Sequence, residues 1–357
     1  MILAIETSCD DTSLCLLKPS QEINKPHSII SHLTYSQKFL EKWGGVVPEL
    51  SARSHAEKLP LLLEQLERES QISTKNDLDG IAVTTHPGLL GPLITGISLA
   101  KTIALISQKP IIPVNHLYAH LEAIYLTHTQ KEIPYPYLGL LISGGHGIFF
   151  VVHSTTHFEI IGDTVDDAPG EAFDKGGRLM NLPYPAGKHI DDLAKKGNEK
   201  RFTFPIPMKS APTPTFSFSG SKTALKYFLE DESKNHDFEN QEGQDFFDLC
   251  ASYQESIAET IFVQTKKALK IYREKFNLKQ EKFPLVVGGG VAANSRVRTL
   301  LAKLPVNSFF VKNEFCTDNA AMIANYAARA FQQKVEFPDC LSLEASSRLK
   351  REGEVSS

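Results

Sequence analysis

The chain has 357 residues, enough to bury a sizeable core and to form two lobes. With 41% apolar residues and a net charge of -4, it reads as an ordinary globular chain, and the acidic balance argues against a self-sufficient nucleic-acid clamp, which would be basic. Five scattered cysteines, Cys9, Cys15, Cys250, Cys316 and Cys340, share no zinc-ribbon or redox spacing, so reduced thiols in a cytosolic protein are expected.

In chain order, residues 1–6 lack a basic region and meet an acid at once, so no signal peptide is expected. Residues 2–5 predict a buried strand and 12–17 a second, joined by a tight polar turn. Residues 51–69 carry leucines with helical period. Residues 80–84 predict a strand that runs into the Gly/Pro turn 86–92 and then a helix to Ala104. Residues 110–114 predict another strand. Residues 137–142 predict a strong strand that turns at Ser143-Gly144-Gly145-His146 into a further strand ending at Val152. This strand-turn-strand unit looks like a repeat of the N-terminal one. Residues 183–221, rich in Pro, Gly, Ser and Thr, are expected as a long lid or loop. Residues 234–243 predict an exposed turn, 247–276 a long amphipathic helix, and 285–294 a strand, a Gly turn and a helix start. The tail after Cys340 is expected to be polar and mobile. No apolar run is expected to reach the length of a membrane span. Strand-helix alternation with two hairpin beginnings argues for an α/β chain of two related lobes with a cleft between them.

His116 and His120 are four residues apart, so on a helix both imidazoles share a face and can reach one metal ion. Asp318, at the start of another predicted helix, is a candidate third ligand. Two His and one Asp suit iron(II) or zinc(II) with open positions for substrate oxygen. A zinc peptidase needs Glu after the first His, and Leu117 stands there. Three Gly-rich turns at strand ends, 87–91, 143–145 and 288–290, leave backbone N–H groups free for an anion, although such turns are common without one. Around the acid-dense segment 166–175, Asp174 could accept from ribose hydroxyls, or the acids could simply favour a helix start. Asn294 could cap a helix or reach a nucleotide. Asp10 and Asp11 could serve the hairpin turn, or one could act as a general base. The basic run Lys195, Lys196, Lys200 and Arg201 reads as a solvated turn ahead of a binding patch.

Taken together, several motifs resemble the universal tRNA threonylcarbamoyladenosine transferase family, related to actin, hexokinase and Hsp70. They are Ile5-Glu6-Thr7-Ser8-Cys9-Asp10, Gly44-Gly45-Val46-Val47-Pro48-Glu49-Leu50, Pro87-Gly88-Leu89-Leu90-Gly91, the His pair, and Ser143-Gly144-Gly145-His146. The segment 166–175, Phe216-Ser217-Phe218-Ser219-Gly220, 288–294 and Thr317-Asp318-Asn319-Ala320 complete the match, nearly end to end. The resemblance implies two actin-like (ASKHA) lobes, 1–128 plus 332–357 and 129–331, with a nucleotide and metal cleft. It implies transfer of a threonylcarbamoyl group from threonylcarbamoyl-AMP to the exocyclic amine of the adenosine beside the anticodon. His116, His120 and Asp318 would hold one divalent metal per subunit, Fe(2+) ahead of Zn(2+). Leu141, Ile142, Ser143, Gly144 and Gly145 would line the adenylate site, and Asp174, Gly187, Asp191 and Asn294 would bind the nucleotide part. Asp11 would take the proton. The implied partners are tRNA, a catalytically degenerate paralogue and a small ATPase, in the cytoplasm and away from membranes. The chain departs from the family pattern at Asp11 (usually Glu), Pro92, Tyr118, Ala119, Gly147, Ala186 and Ser221, and none of these removes a metal ligand. Two further readings stand beside this one: an ATPase or small-molecule kinase of the same superfold, and a non-catalytic scaffold paralogue.

Overall fold

The computed structural model describes residues 1–22, 25–43, 45–278 and 282–348. Gly44 of the second motif and residues 349–357 of the expected tail lie outside the described residues. The chain divides into two compact units, Met1–Pro134 with Ser154–Thr156 and Thr317–Ser357, and Tyr135–His153 with His157–Cys316. Residues 129–134 and 317–331, expected in the second lobe, belong to the first unit.

The first unit is built on a sheet ordered β3-β2-β1-β4-β5, with β1 at Ile2–Glu6, β2 at Asp11–Lys18, β3 at Ser28–Ser36, β4 at Gly80–His86 and β5 at Ile111–Asn115. β1 and β2 form the expected antiparallel hairpin, while β1, β4 and β5 run parallel. Strands buried on both faces need apolar residues at every position, which is why Ile2 to Ile5 reads as an unbroken apolar run. On one face Leu3, Ile5, Leu14, Ile81 and Val83 share a core with Leu59 and Leu66 of α1 (Pro48–Ser70) and Ile97 of α2 (Leu90–Ser107). Burying each such side chain contributes roughly 1.5–3 kcal/mol. α9 (Ala320–Arg329), which lies against β1 and β2, supplies Ala321, Met322 and Ile323 as further buried residues.

The second unit repeats this plan. Its sheet, read β8-β7-β6-β9-β10, has the same antiparallel-then-parallel order, with β6 at Tyr137–Ile142, β7 at Gly147–Ser154, β8 at His157–Gly162, β9 at Pro284–Gly288 and β10 at Asn307–Phe310. Its helices are α4 (Pro169–Leu179), α5 (Ala186–Ala194), α6 (Ser219–Glu232), α7 (Gln244–Lys275) and α8 (Ser295–Leu301). The repeat suggested by the two hairpins therefore extends to five strands in each unit.

Three expectations need correction. Residues 183–221 are not a continuous loop, because α5 lies inside them and buries Ile190 and Ala194 beside α7. The described part of the tail is packed: Leu341, Leu343 and Ala345 lie on the first unit's core, and the Ser346 amide donates to the Thr85 carbonyl at 2.9 Å. An apolar run of membrane-spanning length does exist, since α2 has 18 residues and a mean hydropathy of 1.5. Leu93, Ile97, Ala100 and Ala104 turn one side of α2 into the protein core, which is the physical reason for its composition.

Candidate functional site

In the first unit the carboxyl ends of the three parallel strands deliver the site. β1 ends at Glu6, β4 carries Thr84, and β5 ends at Asn115, directly before α3 (His116–Glu122). Asn115 starts that helix: its Oδ1 accepts from the Leu117 and Tyr118 amides at 2.9 and 3.3 Å. His116 and His120 then lie one turn apart on α3, both buried. Asp318 comes from the segment before α9, whose first turn is fixed twice. Asn319 Oδ1 accepts from Met322 N at 2.9 Å, and Ser13 Oγ accepts from Ala320 N at 3.0 Å. At the far end of α9, Arg329 Nε donates to the fully buried Glu122 at 2.8 Å and stacks over the Tyr125 ring at 3.8 Å. Asn325 Nδ2 also donates to the Glu122 carbonyl, at 2.8 Å. α9 is thereby tied to the helix that carries the histidines.

The three expected ligand groups meet. His120 Nε2 is 3.1 Å from His116 Nε2 and 3.1 Å from Asp318 Oδ1, and His116 Nε2 is 3.5 Å from that same oxygen. Donors around an ion with bonds of about 2.1 Å stand about 3.0 Å apart at right angles and about 3.4 Å apart at tetrahedral angles. The observed spacing fits, and among the described residues this is the cluster of His, Cys, Asp and Glu groups able to hold a metal. In the metal-free chain a proton lies between these groups, in the place that a cation would occupy.

Behind His116, Nδ1 faces Glu6 Oε2 at 3.2 Å and Ser8 Oγ at 3.2 Å. A carboxylate on the rear nitrogen fixes the ring so that Nε2 faces His120 and Asp318 and becomes more basic. Glu6 is held in turn by Thr84 Oγ1 at 2.5 Å and the Ser8 amide at 2.6 Å. Burial pushes the His116 pKa down, but the charges of Asp318 and Glu6 override this and hold it up at about 10. Burial would raise Asp318, yet the His116 charge and the hydrogen bonds from both rings hold it well below the usual carboxylate range. Burial, opposed by the Asp318 hydrogen bond, keeps His120 low. The site therefore favours a cation between two rings and a carboxylate. His120 Nδ1 is buried with no partner among the described residues. Glu6, Ser8, Thr84 and Asn115 escaped sequence reasoning; an acid closing the apolar run 2–5 was the available signal.

The turn between β1 and β2 carries Asp10, and Asp11 opens β2. His55 of α1, fully buried, braces it: Nε2 lies 3.0 Å from the Cys9 carbonyl and Nδ1 lies 2.7 Å from Thr12 Oγ1. Burial keeps this imidazole neutral. A carbonyl can only accept, so Nε2 carries the proton and Nδ1 accepts from Thr12. Burial pushes Asp11 up to about 7; a hydrogen bond with Ser36 opposes this, and the nearby Asp318, Asp10 and Glu6 charges add to it. The expected anion turn 87–91 is engaged within the chain instead, since the Leu89 amide donates to the Ser8 carbonyl at 2.8 Å.

In the second unit β6 and β9 are parallel neighbours, with Leu141 level with Gly288, so the turns after both strands emerge side by side. Ligands of open α/β sheets bind at such carboxyl ends. Gly289 has φ +91° and lies against the Ile142 carbonyl, a position only glycine takes without strain. Gly170 at the start of α4 lies so close to Gly144 that an added Cβ would come within 2.6 Å of its Cα. The Gly170 and Glu171 amides donate to the Ser143 and Gly144 carbonyls, at 3.1 Å each, which locks the turn onto α4. Gly144 and Gly145 are exposed, and their own amides make no backbone hydrogen bond among the described residues.

The other expected nucleotide residues lie on α4, α5 and the start of α8. Asp174 Oδ1 accepts from Ala186 N at 2.8 Å, at the start of α5, where Gly187 follows. Asp191, buried on α5, accepts from Ser295 Oγ at 2.6 Å. Asn294 is the N-cap of α8, accepting from Arg296 N and Val297 N at 3.0 and 3.1 Å while donating to Gln254 at 2.7 Å. Asp166 receives Ser217 Oγ, Phe218 N and Ser219 Oγ at 2.5, 2.8 and 2.7 Å, so part of the acid-dense segment caps α6. At the departure Gly147, Phe216 and Thr164 fill the space that a Thr side chain would take.

The family profile of TsaD, tRNA N6-adenosine threonylcarbamoyltransferase, matches residues 28–325. A protein of that name from Fervidobacterium nodosum is 41% identical over 327 residues, covering 91% of each chain. One from Wolbachia sp. subsp. Brugia malayi is 42% identical over 323 residues, covering 90% of each. Among solved structures, component A of the (R)-2-hydroxyglutaryl-CoA dehydratase of Acidaminococcus fermentans superposes with a TM-score of 0.53 at 16% identity, covering 92% of this chain and 98% of that one. That likeness shows the fold, which is actin-like.

Proposed function

The chain belongs to the tRNA N6-adenosine threonylcarbamoyltransferase family, and from that premise we propose how its residues carry out the transfer. The substrate is threonylcarbamoyl-AMP, and the acceptor is the exocyclic amine of adenosine 37, beside the anticodon, in tRNAs that read codons beginning with adenine. The amine nitrogen bonds to the carbamoyl carbon. The bond from that carbon to the phosphate oxygen breaks, AMP leaves with the electron pair, and the amine gives up one proton. Asp11 accepts that proton, because its pKa of about 7 suits a base working near neutrality. The amides of Gly144 and Gly145 hold the adenylate phosphate, and Leu141, Ile142 and Ser143 line its site. Asp174, Gly187, Asp191 and Asn294 position the nucleotide part. His116, His120 and Asp318 hold one divalent metal, iron(II) before zinc(II). When bound, such an ion supplies a Lewis acid for the carbonyl under attack, and stabilising the developing oxyanion is worth roughly a hundred- to a thousand-fold in rate. Glu6 keeps the His116 ring in the ligating orientation.

The observation that carries this reading is the buried triad with spacings of 3.1 to 3.5 Å and a carboxylate behind it. A scaffold paralogue has no use for it, and a kinase of the same superfold does not need it. A paralogous chain and a small ATPase complete the working assembly. The exposed Leu90, Ile94, Leu105 and Ile106 on α2 support a chain that works with protein partners. Five free thiols suit the reducing cytoplasm.

The test is metal content and threonylcarbamoyl transfer, with partner proteins present, for the wild type and His120→Ala. We expect about one metal ion and transfer to tRNA in the wild type, and loss of both in the variant. Full transfer by a metal-free variant would sink the metal assignment. Strong ATP hydrolysis without transfer by the wild type would favour the kinase-like reading.

A further inference from the structure

The basic run after α5 forms a rigid surface. Lys188, Lys196, Lys200 and Arg201 are exposed, and none forms an ion pair among the described residues. The acids of the same stretch are already held: Asp192 by Lys195 at 2.8 Å, Glu199 by Arg296 at 3.4 Å, and Asp191 by Ser295 at 2.6 Å. Four cations of this surface are thus left without an ion-pair partner among the described residues, on a chain whose net charge is -4.

The backbone beneath these cations is fixed. The Asn198 amide donates to Asp248 Oδ1 at 2.8 Å, the Phe202 amide donates to Ser252 Oγ at 3.1 Å, and Gln244 Nε2 donates to the Lys196 carbonyl at 3.2 Å. All three partners are on α7. Two of the cations also rest on aromatic rings, Lys196 over Phe247 at 4.9 Å and Arg201 over Phe202 at 5.6 Å. Such contacts hold the stem and leave the charged head in water. A solvated charge run needs no such fixing. A phosphate backbone gains from it, because less side-chain entropy is lost on binding.

We propose that this surface of the second unit binds the phosphate backbone of the tRNA, through side chains that have no assigned part in the transfer itself. Lys196, Lys200 and Arg201 contact phosphates, and Lys188, on the outward side of α5, extends the surface toward the helix start. The contacts are independent of sequence and position the RNA without specifying it. The proposal deepens the functional reading and rests on it, since it names where the established acceptor is gripped.

The experiment compares the wild type with the triple variant Lys196→Ala, Lys200→Ala, Arg201→Ala, each in the assembly with its partner proteins. Binding of fluorescently labelled tRNA is followed by anisotropy between 50 and 200 mM salt, beside steady-state transfer. We expect tRNA affinity to fall about 10-fold or more, and the slope of log affinity against log salt to shrink by about two. KM for tRNA should rise in step, while kcat at saturating tRNA, KM for threonylcarbamoyl-AMP and metal content stay unchanged. Unaltered affinity and slope overturn the proposal. Unaltered tRNA binding with loss of the partner proteins also overturns it and assigns the patch to an acidic protein face. If the triple variant misfolds by circular dichroism, Lys200→Glu alone decides: a several-fold loss of tRNA affinity supports the surface and no loss rejects it. Failure of the functional reading is separate, because it would show as absence of transfer by the wild type itself.

Discussion

Asp11 and the triad show how burial sets chemistry one side chain at a time. An Asp held at about 7 is a base whose ionised fraction grows through neutrality. Transfer by the wild type should therefore rise with pH up to about 8, and Asp11→Asn should lower the rate about 10²- to 10⁴-fold without loss of metal. Stability moves the other way. The folded pKa lies above the unfolded value of about 3.9, so the folded state binds the extra proton between those limits and stability falls as pH climbs through them. Thermal melting at pH 8 should thus show Asp11→Asn more stable than the wild type, with the gap closing near pH 4. A variant that melts lower at both pH values would count against burial as the cause. At this scale much of the site was legible. His116 and His120 stand out by their spacing, and Asp318 as an acid at the start of a predicted helix, a choice that the family resemblance also implies. The support by Glu6, Ser8 and Thr84 was not, because it joins residues 78 to 110 positions apart through the parallel ends of three strands. Asn294 shows the converse: its capping role was open to sequence reasoning, and the structure displays that role in full.

Among the elements, α3 and α9 matter most. α3 has seven residues, all buried, too short to be stable alone and dependent on what it packs against. The Glu122–Arg329 pair connects its end to the end of α9, which starts beside Asp318. Arg329→Ala removes the cation paired with the fully buried Glu122 and should cost about 3 kcal/mol or more, read by urea unfolding. It should also weaken metal binding although no ligand is touched. Metal affinity equal to that of the wild type would show that α9 is positioned by other means. Strands with continuous apolar runs, such as β1, β6 and β9, were readable from sequence. β3 was not, since an edge strand carrying Ser, His and Thr has no such run. α5 was hidden for a similar reason, because its nine residues bury few large apolar side chains and sit in Pro-rich surroundings.

At the scale of the molecule, the repeated five-strand plan was foreshadowed by the two hairpins and is complete in the structure. The unit boundaries were harder to read, because the chain leaves the first unit after Pro134, touches it again only at Ser154–Thr156, and rejoins it at Thr317. That return has a consequence for biosynthesis. The first sheet and both histidines emerge from the ribosome well before Asp318, which follows His120 by 198 residues. Under the proposed metal assignment, capture therefore waits until Asp318 and α9 have been made. A nascent chain halted after Cys316 carries two ligands and leaves one side of its first sheet uncovered. Ribosome-stalled chains of increasing length, assayed for bound metal after gel filtration, should take up metal only once residues beyond Arg329 are free of the exit tunnel. Uptake by chains that end before Asp318 would show that two histidines are enough.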